Sequence, residues 1–310
     1  MKKRGIPVRS FTDPFLLRRQ SFSNEQPNSG PSLQPSVDVG GLKLSSGFSR
    51  TTVSGLVRAL LPKPIRPPLR RAQFALTQLL WRHVHPTIRL ASGIDIQVLD
   101  AAEWMAFCEV FVLGEYNDAI KLLIDHGPTR TLVLDLGANV GYFSLKMLDC
   151  WIASRGSGDG LDIVAIEGAT GTFSRLQSRL KSPAAARIRA YHGLVGRREG
   201  AAHINERADH ISASLFGEPS SGHTVPFIDL VNLLPKDQRI GLLKCDIEGA
   251  EEEFLKSYPD LLARTDAMVI EIHGSQCDRS ECLERILGYG FRHERALKRW
   301  QDLTVDLFTR

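Results

Sequence analysis

The chain has 310 residues and no apolar run near the roughly 18 needed to span a bilayer, so a transmembrane helix is not expected. Cysteine is sparse. Cys108, Cys150, Cys245, Cys277 and Cys282 are odd in number and form no CxxC pair. This argues against a disulfide framework and a zinc knuckle; buried free thiols in a reducing, cytoplasmic setting are expected. The phosphate loop G-x-x-x-x-G-K-[ST] is missing too. The start, "MKKRGIPVRSFTDPFLLRRQ", lacks the clean apolar stretch of a secretory leader. It is rich in Arg and poor in acids, which leaves an organelle transit peptide open.

Acidic residues are scarce in one part only. Residues 1–90 hold 15 Lys/Arg against 3 Asp/Glu, and the remainder holds 24 against 32. A basic arm therefore precedes an acidic body, unlike a nucleic-acid-binding domain, which carries positive charge on its folded core. Residues 1–50, with "SNEQPNSGPSLQPS", show no sustained period and too little apolar surface to offset ordering entropy; a disordered basic arm is expected. Residues 51–95 read as an accessory helical segment. "VSGLVRALL" and "RRAQFALTQLLWRHV" place apolar residues at helical spacing with Arg between them. Segment 52–84 suits either a helical layer packed on the main domain or peripheral contact with an anionic membrane.

From residue 96 to 310 the pattern changes. Strand-like runs stand at 132–136, 162–167, 187–195, 224–229, 240–247 and 266–273, and amphipathic segments follow at 141–152, 172–181, 249–257 and 280–288. Apolar strands alternating with amphipathic helices predict an α/β fold, a doubly wound and mostly parallel sheet. "FRHERALK" and "LTVDLFTR" lack an intervening helix and read as a closing antiparallel pair.

The first strand runs into a glycine corner, "LVLDLGANVGYFS". A dinucleotide fingerprint needs a second glycine where the backbone meets the pyrophosphate, and Asn139 stands close to that place. An acid at the strand end, Asp135, suits an ammonium better than a phosphate. Glu167, after the second strand, can accept from both hydroxyls of a ribose. Together these point to S-adenosylmethionine, which has an ammonium, a sulfonium, a ribose and no phosphate. The expected cofactor residues are Asp135, Gly137, Ala138, Asn139, Gly141, Tyr142, Glu167, Gly168 and Asp246. A turn or capping role for Asp135 is the plain structural alternative.

The fourth strand carries three charges. If "LLKCDIEGAEEEFL" stays extended, Lys244, Asp246 and Glu248 share one face. Such a face is costly to bury unless its charges are paired or at work. The next strand puts Glu271 and His273 together in the same way. The expected catalytic group is Asp246 with Glu248, Glu271 and His273, with Asp246 as the base for an acceptor hydroxyl or its positioning group. Favourable charge at a helix start accounts equally for Glu248 and better for Glu251, Glu252 and Glu253. The carboxylates also suit a divalent metal that orients a diol, but the ligand set is incomplete in the sequence and no metal is assigned.

"VLDLGANVGYFSLKML", "IVAIEGATGTFSRL", "IGLLKCDIEGAEEEFLKS" and "MVIEIHG", in this order, resemble the FkbM family of S-adenosylmethionine-dependent methyltransferases. The resemblance covers about residues 105–275, including the upstream "EVFVLGEYN", and is most specific in the LLK-x-D-x-EGAE block. It implies a class I methyltransferase fold, Rossmann-like, with seven strands in the order 3-2-1-4-5-7-6. It also implies methyl transfer to an oxygen of a sugar, polyketide or related metabolite. The partner expected is thus a small-molecule or glycan acceptor and no nucleic acid. Segment 206–223 matches the family's substrate region only loosely. A dinucleotide oxidoreductase on a similar sheet and a non-catalytic S-adenosylmethionine-binding protein are the competing classes.

Overall fold

The computed structural model describes residues 37–39, 42–44, 85–206, 213–214 and 223–310. Within the arm expected to be aperiodic, β1 (Val37–Val39) pairs antiparallel with β2 (Leu42–Leu44). "VDVGGLKL" is an alternation around Gly-Gly, which is a hairpin signal. The rest of that arm and the basic segment 52–84 lie outside the described residues. Where the accessory segment 51–95 is described, it is not helical. β3 (Thr87–Arg89) and β4 (Asp95–Gln97) form a hairpin. The reason is a period of two: Ile88 and Ile96 are buried, while Arg89 and Asp95 pair outside at 2.7 Å.

α1 (Ala101–Phe107) starts at Asp100, whose carboxylate accepts from the Ala102 and Glu103 N–H groups, and it runs into a π-helical turn, Cys108–Val112. α2 (Asn117–His126) was not anticipated, although Ala119, Ile120 and Leu123 make one buried face. Six α/β elements follow: β5 (Thr131–Leu136), α3 (Tyr142–Arg155), β6 (Leu161–Glu167), α4 (Thr170–Arg179) and β7 (Ile188–His192), and later β11 (Ile240–Cys245). Between β7 and β11 lie β8 (Ala201–Glu206), β9 (Ala213–Ser214), β10 (His223–Pro226) and the short α5 (Leu230–Leu233). β10 pairs with β8 in a separate three-stranded sheet, so the run expected at 224–229 does not join the main sheet. After β11 come α6 (Glu251–Ser257), α7 (Pro259–Ala263), β12 (Thr265–His273), α8 (Arg279–Gly288), β13 (Arg292–Trp300) and β14 (Leu303–Thr309).

The main sheet has seven strands in the order β13-β14-β12-β11-β5-β6-β7. β7, β6, β5, β11 and β12 are parallel, and β14 enters antiparallel between β12 and β13. Counted along the chain within this sheet, the order is 3-2-1-4-5-7-6. β5 and β11 are buried throughout, as strands covered on both faces must be. Their side chains alternate between two cores. Val133, Ala165, Leu242 and Val269 face α2, α3 and the β3–β4 hairpin. Leu134, Ile166, Leu243 and Ile270 face α6, α7 and α8. The same alternation puts Asp135, Glu167, Lys244 and Glu271 on the first face, at the carboxyl ends of four neighbouring strands. Progression along the sheet reverses between β5 and β11, and a crevice outside the strand ends is where such folds bind ligands.

Candidate active site

A cleft opens at that reversal. Gly137 and Asn139 after β5, Glu167 at the end of β6 with Gly168 and Ala169 beyond it, and Asp246 to Glu248 after β11 line it. Gly137 has φ +71°, and a Cβ there would lie 1.6 Å from the Asp246 carbonyl oxygen. Only glycine lets the two strand ends come this close. Asn139 is left-handed as well, at φ +51°. Its N–H donates to Glu167 Oε2 at 2.8 Å, and the Ala169 N–H donates to Oε1 at 2.8 Å. Burial raises the Glu167 carboxyl above its usual range, against the lowering effect of these two N–H groups. Each oxygen keeps acceptor capacity toward the cleft.

Of the expected cofactor residues, Gly137, Asn139, Glu167, Gly168 and Asp246 line this cleft. Asp135, Ala138, Gly141 and Tyr142 do not. Asp135 is fully buried; its Oδ2 accepts from Ser144 Oγ at 2.7 Å, and its Oδ1 lies 3.4 Å from Lys244 Nζ. Ala138 donates its N–H to the Ile166 carbonyl. Gly141 takes φ +89°, a left-handed conformation that favours glycine, and a Cβ there would also press on Leu176 Cδ1. Tyr142 points away, with its ring edge on Phe107 and Phe111 and the Arg179 guanidinium over its face. Gly193, Leu194, Val195 and Ile204 complete the cleft wall. They were not anticipated, because apolar residues after β7 and on β8 carry no chemical signature.

Lys244 organises the floor. Its Nζ donates to the Gly137 carbonyl at 2.5 Å and lies 3.4 Å from Asp135 and 3.5 Å from Asp246. The register aligns Lys244 with Asp135 across β11 and β5, so the pair forms wherever this sheet forms. Burial opposes the Lys244 charge, but Asp135, Asp246 and Glu271 outweigh it and hold the ammonium above its usual range.

The expected face of three charges is only partly formed, because β11 ends at Cys245. Asp246 follows in the turn, and Glu248 takes φ +53°, a conformation uncommon for a residue with a side chain. The turn still delivers Glu248 to 3.5 Å from His273 Nε2. Glu271 Oε1 lies 3.6 Å from the same nitrogen. Asp246, Glu271 and His273 each bring one polar atom to within 4.8 Å of the others. The four residues expected to be catalytic therefore converge.

Glu251 enters this group from α6, although a helix-start charge was its better expected role. It is fully buried, and its Oε1 holds His273 Nδ1 at 2.9 Å. Burial lowers the affinity of His273 for a proton, but the Glu251 bond and the charges of Glu251, Asp246 and Glu248 outweigh it and raise the imidazole to about 10. Burial, then Asp246, pushes the Glu271 carboxyl well above the usual range. On the far side, Lys298 of β13 lies 3.3 Å from Glu109 and 3.0 Å from Glu115.

The strand order and the cleft at its reversal define the class I methyltransferase fold, a Rossmann-like α/β architecture. The methyltransferase FkbM domain matches residues 135–298, more than half of the chain, and the chain belongs to this family. No curated protein matches it. Solved structures include magnesium protoporphyrin IX methyltransferase from Synechocystis PCC 6803, with bound S-adenosylmethionine. It is 12% identical, with 68% of this chain and 85% of that one covered and a TM-score of 0.40. Precorrin-6y C5,15-methyltransferase from Geobacter metallireducens GS-15 is also 12% identical, with 58% and 80% covered and a TM-score of 0.36. No helix among the described residues is long and apolar enough to cross a membrane.

Glu167→Ala is expected to weaken S-adenosylmethionine binding by about 1.5–3 kcal/mol, the range for hydrogen bonds to a charged group. Isothermal calorimetry of both proteins checks this. Unchanged affinity would remove Glu167 from the cofactor site.

Proposed function

We propose that the protein transfers the methyl group of S-adenosylmethionine to a hydroxyl of a sugar, polyketide or related metabolite. One observation carries this reading: the cleft that Glu167 lines is also lined by Asp246, which belongs to the cluster with Glu271 and His273. Gly137, Asn139, Glu167 and Gly168 would hold the cofactor, which supplies the methyl group, and Asp246 would stand beside the acceptor. The acceptor enters from the side of Glu271 and His273. Its oxygen attacks the methyl carbon in line, and the carbon–sulfur bonding pair stays on sulfur, which becomes neutral in S-adenosylhomocysteine. Asp246 orients the hydroxyl and takes its proton. Much of the acceleration comes from holding oxygen and methyl in near-attack geometry, and a base adds to it.

The test has two stages. Calorimetry is expected to show binding of S-adenosylmethionine and none of NAD; the reverse would favour an oxidoreductase. Methyl-labelled cofactor is then offered to fractionated small-molecule extracts. Label in an alkali-stable, oxygen-linked methyl group is the expected product. Binding without transfer to any fraction would favour a non-catalytic role.

A further inference from the structure

Glu271 stands mostly buried near the end of β12, and its Oε1 lies 3.6 Å from His273 Nε2. His273 gives a direction. Its Nδ1 is clamped at 2.9 Å by fully buried Glu251, which also accepts from the Gly249 N–H at 3.1 Å. Nε2 therefore faces the cluster, with Glu248 at 3.5 Å and Glu271 at 3.6 Å. These separations are long for hydrogen bonds. Among Asp246, Glu271 and His273 one polar atom of each lies within 4.8 Å of the others, with Glu271 3.6 Å from His273, so a small closure brings them to the about 3.0–3.4 Å that bonds of about 2.1 Å set between neighbouring ligands. A histidine that binds a metal through one nitrogen commonly donates the other N–H to a carboxylate, as here to Glu251.

Charge points the same way. Asp246, Glu248, Glu251 and Glu271 gather four carboxylates around one imidazole. The nearby lysines are engaged elsewhere as well, Lys244 with Asp135 and Lys298 with Glu109 and Glu115. We propose that Asp246, Glu271 and His273 form a binding site for a divalent cation of the Mn²⁺ class, which takes two adjacent oxygens of the methyl acceptor. Two carboxylates and an imidazole suit an ion that accepts both oxygen and nitrogen donors. Three protein ligands on a six-coordinate ion leave room for a chelating acceptor, a vicinal diol or an α-hydroxy carbonyl. One oxygen of Asp246 on the ion leaves the other for the acceptor proton. The acceptor chemistry rests on the functional reading above; the ion site stands on its own geometry.

The full chain, stripped with EDTA and desalted, is titrated with Mn²⁺ and followed by the electron paramagnetic resonance of the free ion. One saturable Mn²⁺ per chain is expected. Asp246→Asn, Glu271→Gln and His273→Phe should each weaken it at least tenfold, and in Glu271→Gln and His273→Phe, whose residues do not line the cofactor cleft, S-adenosylmethionine affinity should stay within about threefold by calorimetry. The cofactor titration also shows which variants have folded, and the folded ones decide. Absence of saturable Mn²⁺ binding, or binding undiminished in the folded variants, overturns the site. If the wild-type protein binds S-adenosylmethionine but not Mn²⁺, the ion fails and the methyltransferase reading stands. If it binds Mn²⁺ in this variant-sensitive way but not the cofactor, the ion site stands and that reading fails.

Discussion

Asp246→Asn is expected to lower methyl-transfer turnover by about 10²–10⁴-fold, the range for a lost general base, while cofactor affinity stays near that of the unaltered protein. The substitution keeps the shape of the side chain and removes its charge. Stability is expected to survive because Lys244, 3.5 Å from Asp246, keeps Asp135 at 3.4 Å as a second counter-charge. The Asp246 backbone is also held independently, by its N–H on the Leu136 carbonyl at 3.0 Å. Turnover with a found acceptor and the melting temperature are measured on the same preparation. Near-normal turnover in a well-folded variant would remove Asp246 from the chemistry and leave His273 and Glu271 as the groups to test.

The second large effect lies away from the chemistry. Glu103 of α1 is fully buried and meets two guanidinium groups of α4, Arg175 at 2.9 Å and Arg179 at 2.5 Å. The Leu99 N–H donates to the same carboxylate at 2.9 Å. Arg175 also reaches Asp100, but Arg179 is almost wholly buried, and its Nε and Nη1 have no hydrogen-bond partner. Removing the Glu103 charge would leave that guanidinium with the Gln97 carbonyl at 3.0 Å and the Tyr142 ring, and with no ion-pair partner among the described residues. Glu103→Gln is therefore expected to destabilise the fold by about 3–5 kcal/mol, as breaking a buried pair commonly does. The midpoint of urea unfolding, at unchanged slope, measures it. A shift below about 1 kcal/mol would mean that water or the Leu99 turn supplies what the carboxylate does. The network matters to the site because α4 begins directly after Gly168 and Ala169, which line the cleft. Loosening α4 would loosen the Glu167 end.

Most of the α/β order was legible because it rests on local periodicity. The six residues of β5 are buried to the last, and a run of that kind followed by Gly-Ala-Asn-Val-Gly has few readings. The closing pair, β13 and β14, was legible because no helical segment separates the two. The run at 224–229 was misplaced. Its composition suits a strand, but composition does not name the partner strand, and it pairs with β8 outside the main sheet. The hairpin of β3 and β4 was overlooked because each strand is only three residues long, too short for its alternation to outweigh the helical pattern before it.

Residue types and spacing by themselves determined that an acid stands near the end of β5, that an acid ends β6, and that Asp246, Glu248, Glu271 and His273 stand near the ends of two neighbouring strands. Those are properties of short segments, and the period of two conveys them. Only the tertiary structure decided which acid faces the cleft. Glu167 lines it, whereas Asp135 turns inward to Ser144 and Lys244, because the register of β5 against β11 sets that lysine beside it. The same holds for Glu251, which read best as a helix-start charge and instead clamps His273 from another element. It holds as well for Glu103, whose two arginines lie more than 70 positions further along the chain. A charge in a sequence shows the cost of its burial; the partner that offsets the cost is brought by the fold, across a distance in the chain that local pattern does not encode.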